Sequence, residues 1–186
     1  LIFLFLIFFL AAMDVFGKLP TFEELENPEN NLATEVISID GETLGKYYRE
    51  NRTPVKYREL PENLIQALIA TEDERYFEHS GIDFRGTARA AAKLGKDGGA
   101  STITQQLAKM LFTKKASGNI AKRLIQKVKE WVIAIRLEKQ YTKNEIITMY
   151  FNKYDFGHNA VGIRSASRIH FGKEPNELNI EESAML

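Results

Sequence analysis

A glutamate on an apolar helix face is the first residue that could carry chemistry. The segment that begins at Pro61 has helical spacing, and its apolar stripe consists of Leu64, Ile65, Leu68 and Ile69. Glu72 follows Ile69 by three residues and therefore continues this stripe. Burial there would remove water from the carboxylate and make it a proton acceptor that works near neutral pH. The alternative is that the helix has emerged into solvent by Glu72.

A second candidate is a helix start that could bind an anion. A glycine turn precedes Ser101 and Thr102, either of which can cap the helix, and Gln105 would complete a capping box. The predicted polar face comprises Thr102, Gln105, Gln106 and Lys109. Free amide groups at the positive end of a helix dipole, with a lysine two turns along, suit a phosphate or pyrophosphate. The alternative is an ordinary capped amphipathic helix.

A third predicted helix, residues 119–140, brings a lysine next to a glutamate. Lys127 and Glu130 share a polar row with Arg123. The predicted apolar stripe opposite this row comprises Ile120, Leu124, Val128, Trp131 and Ile135. Lysine before glutamate is the less favourable order for helix stability, so helix stabilisation alone does not account for the pair. The alternative is an exposed ion pair.

The charge of the chain is polarised. Its 25 basic and 25 acidic residues cancel, which taken alone argues against a nucleic-acid partner. Residues 1–80 hold 7 basic and 15 acidic residues, net −8, whereas residues 81–186 hold 18 and 10, net +8. Arg85, Arg89 and Lys93 form a basic ridge, which alone is more typical of a solvated face. The absence of cysteine excludes disulfides, thiolate zinc sites and cysteine nucleophiles.

Three regions must position these residues. Residues 1–16 are almost entirely apolar but shorter than the roughly 20 residues that span a bilayer, and we interpret them as a truncated transmembrane or signal-anchor helix. An ordinary buried helix is the alternative. Residues 17–54 are predicted to form an acidic linker and a short β segment, and residues 55–186 a mainly helical domain.

Two details of these regions are specific enough to check. The β segment is predicted as a strand at Glu35–Asp40, a turn at Gly41 and a return strand at Thr43–Arg49. Near the end of the chain, Asn179 and Glu182 have the spacing of a capping box that opens a further helix. We therefore expect the helical domain to extend beyond residue 186.

Five ordered segments resemble the signatures of the peptidoglycan glycosyltransferase family, which comprises monofunctional transglycosylases and the glycosyltransferase domains of class A penicillin-binding proteins. The first, E-D-x-x-F-x-x-H-x-G, is similar to Glu72–Gly81, and the second, G-x-S-T-I-T-Q-Q-L-x-K, to Gly99–Lys109. The remaining three signatures resemble Lys127–Glu130, Lys143–Asn152 and Phe171–Lys173. The resemblance covers residues 55–186.

The chain departs from the family pattern at three positions. Gln126 stands where an arginine is usual, Met110 where an asparagine is usual, and His170 where a tyrosine is common. The first change removes one phosphate contact of the family pattern. Neither Glu72 nor Glu130 is affected.

The resemblance implies a mainly helical, lysozyme-like fold set against a membrane, and an activity that polymerises lipid II into β-1,4 glycan strands by inverting transfer with release of polyprenyl pyrophosphate. It implies two catalytic glutamates: Glu72 as general base, and Glu130 to orient Lys127 or assist the donor site, where a divalent cation, Mg²⁺ or Mn²⁺, could act. The residues that would bind substrate and pyrophosphate are Lys109, Lys127, Ser101, Thr102, Gln105 and Arg89. Those that would shape the cleft are Asp73, Phe77, His79 and Asn152.

The resemblance also implies partners and a location. The partners are lipid II, the growing lipid-linked glycan, the membrane and other cell-wall synthesis proteins, with no nucleic acid. The location is the cytoplasmic membrane, with one N-terminal anchor and the catalytic domain on the extracytoplasmic side. Two other functions stay open: a lysozyme-like cell-wall hydrolase that uses its glutamate as an acid, and a non-enzymatic module that binds anionic lipid.

Overall fold

The computed structural model describes residues 34–40, 43–47, 54–92, 101–112 and 118–186, and it is mainly helical, as predicted. The strands are β1 (Thr34–Ile37) and β2 (Thr43–Tyr47), and the α-helices are α1 (Glu62–Glu72), α2 (Phe84–Ala92), α3 (Ile103–Phe112), α4 (Ile120–Gln140), α5 (Lys143–Lys153), α6 (Ile163–Phe171) and α7 (Ile180–Met185). Single 3₁₀ turns lie at Tyr57–Glu59, Tyr76–Glu78 and Pro175–Glu177. The region predicted as an anchor, residues 1–16, and most of the linker lie outside the described residues. None of the helices in the described ranges combines the length and apolarity needed to cross a bilayer.

The chain forms two compact units, each described by itself. Among the described residues, the first unit comprises 68–92, 101–112 and 118–147, and its core is the packing of α3 against α4. Fully buried residues of this core are Ile103, Leu107, Ala108, Ala134 and Leu137. Burying a large aliphatic side chain contributes about 1.5 to 3 kcal/mol, so this contact holds the two helices in place.

The apolar stripe predicted for α4 is wrong at Leu124, and the polar row predicted opposite it is wrong at Glu130. Leu124 is 65% exposed, whereas Glu130 is only 6% exposed. Ile133, Ala134 and Leu137 follow Glu130 by three, four and seven residues and are buried with it. On this face α4 turns the small Ala134 inward, where Gly81 packs against its backbone. Glu130 therefore lies on the buried stripe and not on an opposite polar row.

Among the described residues, the second unit comprises 34–40, 43–47, 54–67 and 148–186. In it, β1 and β2 pair antiparallel at the place where the sequence predicted a strand and its return, with Thr34 opposite Tyr47 and an irregularity between Val36 and Ile37. The capping box predicted for the last helix is confirmed, because Asn179 Oδ1 accepts from the Glu182 amide at 2.7 Å and the Glu182 side chain accepts from the Asn179 amide at 2.9 Å.

Asn152 is a structural link of the second unit. Its Oδ1 accepts from the Val55 amide at 2.8 Å, and its Nδ2 donates to the Val55 carbonyl at 3.0 Å. The side chain thus satisfies both backbone groups of a residue that is 3% exposed. The predicted role of Asn152 in shaping a cleft stays a prediction, but the structure shows what this side chain binds.

Replacing Asn152 by alanine should destabilise the second unit. The substitution leaves the buried N–H and C=O groups of Val55 without these partners, and a buried polar group that loses its partner costs about 1 to 3 kcal/mol. We expect the free energy of unfolding in urea to fall by an amount in this range. An Asn152→Ala protein as stable as the wild type would show that the Val55 backbone finds other partners.

Candidate active site

Glu72 is the last residue of α1 and is exposed, so the prediction that its carboxylate is buried is wrong. The buried residue at this point is its neighbour Asp73, which is 7% exposed. The helix ends here and the chain turns into the Tyr76–Glu78 3₁₀ turn. The alternative stated above, that the helix has emerged into solvent by Glu72, is therefore correct.

Several predicted site residues nevertheless meet at one cavity of about 50 Å³. Its lining comprises Glu72, Asp73, Glu74, Arg75, Asp83, Gly86, Arg89, Ser101 and Thr102. A water molecule needs about 10 to 15 Å³ of such space, so the cavity has room for a few water molecules. The arrangement places four carboxylates, two arginines and the start of α3 around one small cavity.

The start of α3 is held by a buried polar network. Thr102 Oγ1 accepts from the Gln105 amide at 3.1 Å, which confirms Thr102 as the cap, and donates to the Gly81 carbonyl at 2.7 Å. The Gln105 side chain does not complete the predicted capping box but donates to the same Gly81 oxygen at 3.3 Å. Thr102 and Gln105 are 2% and 1% exposed. The prediction that they lie on an accessible polar face is therefore wrong.

Asp73 and His79 belong to the same network. The Asp73 carboxylate accepts from the amide of Ile103, the first residue of α3, at 3.0 Å. His79 Nε2 lies 2.9 and 3.1 Å from the two Asp73 oxygens, and because a carboxylate only accepts, this nitrogen carries the proton. Phe77 differs from them, since it is 60% exposed and packs edge-on against Tyr76. Asp73 thus fixes α3 to the segment that directly follows Glu72.

Gly81 is the point where this network meets α4. Its φ of +89° suits glycine, and a Cβ at this position would lie 2.9 Å from the Ala134 carbonyl carbon and oxygen. The backbone of the first signature segment therefore lies directly against the buried face of α4. Sequence reasoning had not predicted this contact.

Two lysines and a glutamate, Lys109, Lys127 and Glu130, form a charged cluster beside Ser101. Lys127 Nζ donates to Ser101 Oγ at 2.7 Å and lies 3.5 Å from Glu130 Oε2. Burial lowers the pKa of Lys127, and the positive charge of exposed Lys109 lowers it further. The negative charge of Glu130 acts in the opposite direction. Burial raises the pKa of Glu130, whereas the positive charges of Lys127 and Lys109 act to lower it. These three charges and Ser101 thus form one electrostatic group.

The described residues contain no cluster of three or more histidine, cysteine or carboxylate side chains that could hold a metal ion. The divalent cation implied by the resemblance therefore stays a prediction. The groups that are present can accept a proton at Glu72 and attract an anion near Ser101 and the lysines.

Comparison with known proteins gives the family. The family model described as transglycosylase matches residues 40–186. This chain belongs to the transglycosylase family. It is 40% identical over 158 residues to penicillin-binding protein 1F of Bacillus subtilis, covering 83% of this chain and 21% of that protein. It is 36% identical over 197 residues to penicillin-binding protein 1A of Vibrio cholerae, covering all of this chain and 23% of that protein. It is also 36% identical over 188 residues to penicillin-binding protein 1A of Escherichia coli, covering 95% of this chain and 22% of that protein.

The transglycosylase chain spans about a fifth of the length of the curated relatives it matches. The family is that of the peptidoglycan glycosyltransferases, so the prediction of the family and of the enzyme class is confirmed. Of the three departures from its pattern, Met110 and Gln126 are half-buried on α3 and α4, and His170 is exposed with its ring edge-on to His158.

The sequence analysis missed one contact of the transglycosylase site. Gln106 was placed only on the polar face of α3, but its Nε2 donates to Glu72 Oε2 at 2.7 Å. The two residues are 34 positions apart. No local pattern reveals such a pairing, although the position of Gln106 one turn before Lys109 marked the correct side of the helix.

Replacing Glu130 by glutamine should change how stability depends on pH. The raised pKa means that the folded protein keeps the Glu130 proton to higher pH than the unfolded chain does, so this stabilising contribution is complete at acidic pH and is lost as pH rises through the folded-state pKa. Glutamine loses no proton, so the stability of Glu130→Gln relative to the wild type should increase as the pH is raised from the ordinary glutamate pKa of about 4.3 through the higher pKa of the folded protein. Thermal midpoints across this range measure the difference, and a pH-independent difference would contradict it.

Proposed function

We propose that this transglycosylase polymerises lipid II into β-1,4 glycan strands. The 4-hydroxyl oxygen of the acceptor sugar attacks the anomeric carbon of the donor chain, the bond from that carbon to the pyrophosphate oxygen breaks, and the configuration inverts. The hydroxyl proton passes to Glu72, and polyprenyl pyrophosphate leaves. The observation that carries the proposal is the exposed Glu72 carboxylate on the same cavity as Ser101, whose hydroxyl is bonded to Lys127.

Exposure of Glu72 suits a base that must reach a hydroxyl of an incoming sugar. A general base needs to come within hydrogen-bonding distance of the proton it takes. Glu72 lines the cavity and is exposed, so an incoming sugar can reach its carboxylate. Glu130 is buried, so its role is to orient Lys127.

The leaving group is a pyrophosphate, whose charge grows as the bond breaks. Cations aimed at developing charge are worth most in a site with little water. Lys127 is the best placed, with Ser101 at 2.7 Å, while Arg89 lines the cavity and exposed Lys109 acts electrostatically on Lys127. Thr102 and Gln105 support this side of the site by holding Gly81. A Mg²⁺ or Mn²⁺ ion at the donor site would supply further positive charge to the pyrophosphate, beside Glu130 and Lys127.

The proposal includes a location and partners. A polyprenyl-linked substrate is confined to the bilayer, and the apolar residues 1–16 are suited to anchor the enzyme in the cytoplasmic membrane. The catalytic domain would then act on the extracytoplasmic side, on lipid II and the growing glycan, beside other cell-wall synthesis proteins.

The test is to supply fluorescent lipid II in detergent and to separate the products by size. Polymer formation with release of polyprenyl pyrophosphate is the expected result. Purified cell wall serves as the second substrate. Cleavage of the cell wall without polymer from lipid II would replace this proposal by a lysozyme-like hydrolase, and lack of both activities with retained binding to anionic vesicles would replace it by a lipid-binding module.

A further inference from the structure

The side chain of Glu72 needs a partner to be an effective base. It stands on the last residue of α1 and is exposed, so the helix and the core do little to orient it. A glutamate side chain has three rotatable bonds, and a displacement of about 1 Å of a catalytic group costs up to 10²-fold in rate. The Nε2 group of Gln106 donates to Glu72 Oε2 at 2.7 Å. A donor fixed on Oε2 also sets the direction in which Oε1 points.

Gln106 is itself held in a fixed frame. Its backbone amide donates to the Thr102 carbonyl at 3.0 Å within the first turn of α3. The beginning of this helix is tied to Asp73 through the Ile103 amide. Because Asp73 directly follows Glu72, the backbone next to the carboxylate and the helix that carries Gln106 are joined. The separation of Glu72 and Gln106 is therefore set from both ends.

We propose that Gln106 is the positioning residue of Glu72: its amide holds the carboxylate in the orientation in which it takes the acceptor proton. The inference rests on the proposed function, in which Glu72 is the general base. In this role Gln106 takes no proton and acts on the reaction only through Glu72. Its removal therefore affects turnover and not the binding of substrate.

The experiment measures kcat and KM for lipid II polymerisation by Gln106→Met and Gln106→Asn proteins. Methionine has a similar length but donates no hydrogen bond, and asparagine keeps the amide but is one methylene too short to reach Glu72. We expect kcat to fall by about 10- to 100-fold in both variants, with KM within about twofold of the wild-type value. If the methionine variant does not fold, as judged by its thermal midpoint, the asparagine variant provides the test.

The chain contains a matched control. Gln66 Nε2 donates to Glu62 Oε1, also at 2.7 Å, and both of these side chains are exposed on the first turns of α1. Gln66→Met removes the same kind of bond, and we expect its kcat and KM to equal those of the wild type. A kcat for the Gln106 variants within threefold of that of Gln66→Met would overturn the inference, as would a raised KM with unchanged kcat. If the wild type and Gln66→Met make no polymer, the proposed function itself fails.

Discussion

Replacing Glu72 by glutamine is expected to stop polymerisation of lipid II while the protein stays folded. Glutamine keeps the size of the side chain but cannot take the proton of the acceptor hydroxyl, and general-base catalysis is worth about 10² to 10⁴ in rate. Glu72 is exposed, so the free energy of unfolding should change by no more than about 0.5 kcal/mol. The measurements are the rate of polymer formation and, in parallel, the affinity for lipid II, which should be kept.

Glu78 provides the control for this experiment. It is an exposed carboxylate in the same signature segment, on the Tyr76–Glu78 turn, and it does not contribute to the cavity lining. Glu78→Gln removes the same charge and should polymerise lipid II at the wild-type rate. Polymer from Glu72→Gln at more than a tenth of that rate would mean that another group takes the proton.

Replacing Gly81 by alanine should produce the largest loss of stability among these substitutions. Two costs combine: a non-glycine residue at positive φ costs about 1 to 3 kcal/mol, and an extra methyl in a packed contact about 1 to 3 kcal/mol. The added Cβ would meet backbone atoms of Ala134 at 2.9 Å, and backbone cannot move aside as a side chain can. We expect the free energy of unfolding to fall by roughly 2 to 6 kcal/mol.

Gly157 separates the cost of the positive φ from the cost of the steric contact. Its φ is +79°, close to that of Gly81, but a Cβ there would meet no atom within 4 Å. Gly157→Ala should therefore lose only the conformational part, about 1 to 3 kcal/mol. Urea unfolding of both variants measures the two values. Equal losses for Gly81→Ala and Gly157→Ala would show that the contact with Ala134 relaxes without cost.

Local patterns in the sequence predicted the helices and part of their burial. In α1, the predicted stripe is correct for Leu64, Ile65 and Ile69, each less than 10% exposed. The N-cap at Thr102 and the capping box at Asn179 were also predictable. Such features depend on residues within about one turn of each other, and the sequence displays them directly.

Burial that depends on distant partners was not predictable in this way. Thr102 and Gln105 carry polar groups and were placed on an accessible face, but the Gly81 carbonyl, more than 20 residues away, accepts from both. Glu130 was placed opposite the apolar side chains of α4, yet it is buried beside Ala134 because α3 packs there. A polar side chain is buried when the fold supplies its partner, and helical periodicity carries no information about that partner.

The candidate site shows the same division. The resemblance of five segments to a known family selected Glu72, Ser101 and Lys127 from the sequence. In the structure, Glu72 and Ser101 line one cavity, and Lys127 is hydrogen-bonded to Ser101. What the motifs did not contain is how the groups are held. The bonds from Gln106 to Glu72 and from Ile103 to Asp73 join positions about 30 residues apart, and only the tertiary structure reveals them.

The Asp73 carboxylate makes a short helix depend on a distant part of the chain. Helix α3 has ten residues, a length at which an isolated helix does not persist in water. Its first amide reaches the Asp73 acceptor only when the segment that carries Glu72 has docked. Unfolding of the first turn of α3 would therefore release the Asp73 carboxylate, and with it one of the contacts that hold the segment directly after Glu72.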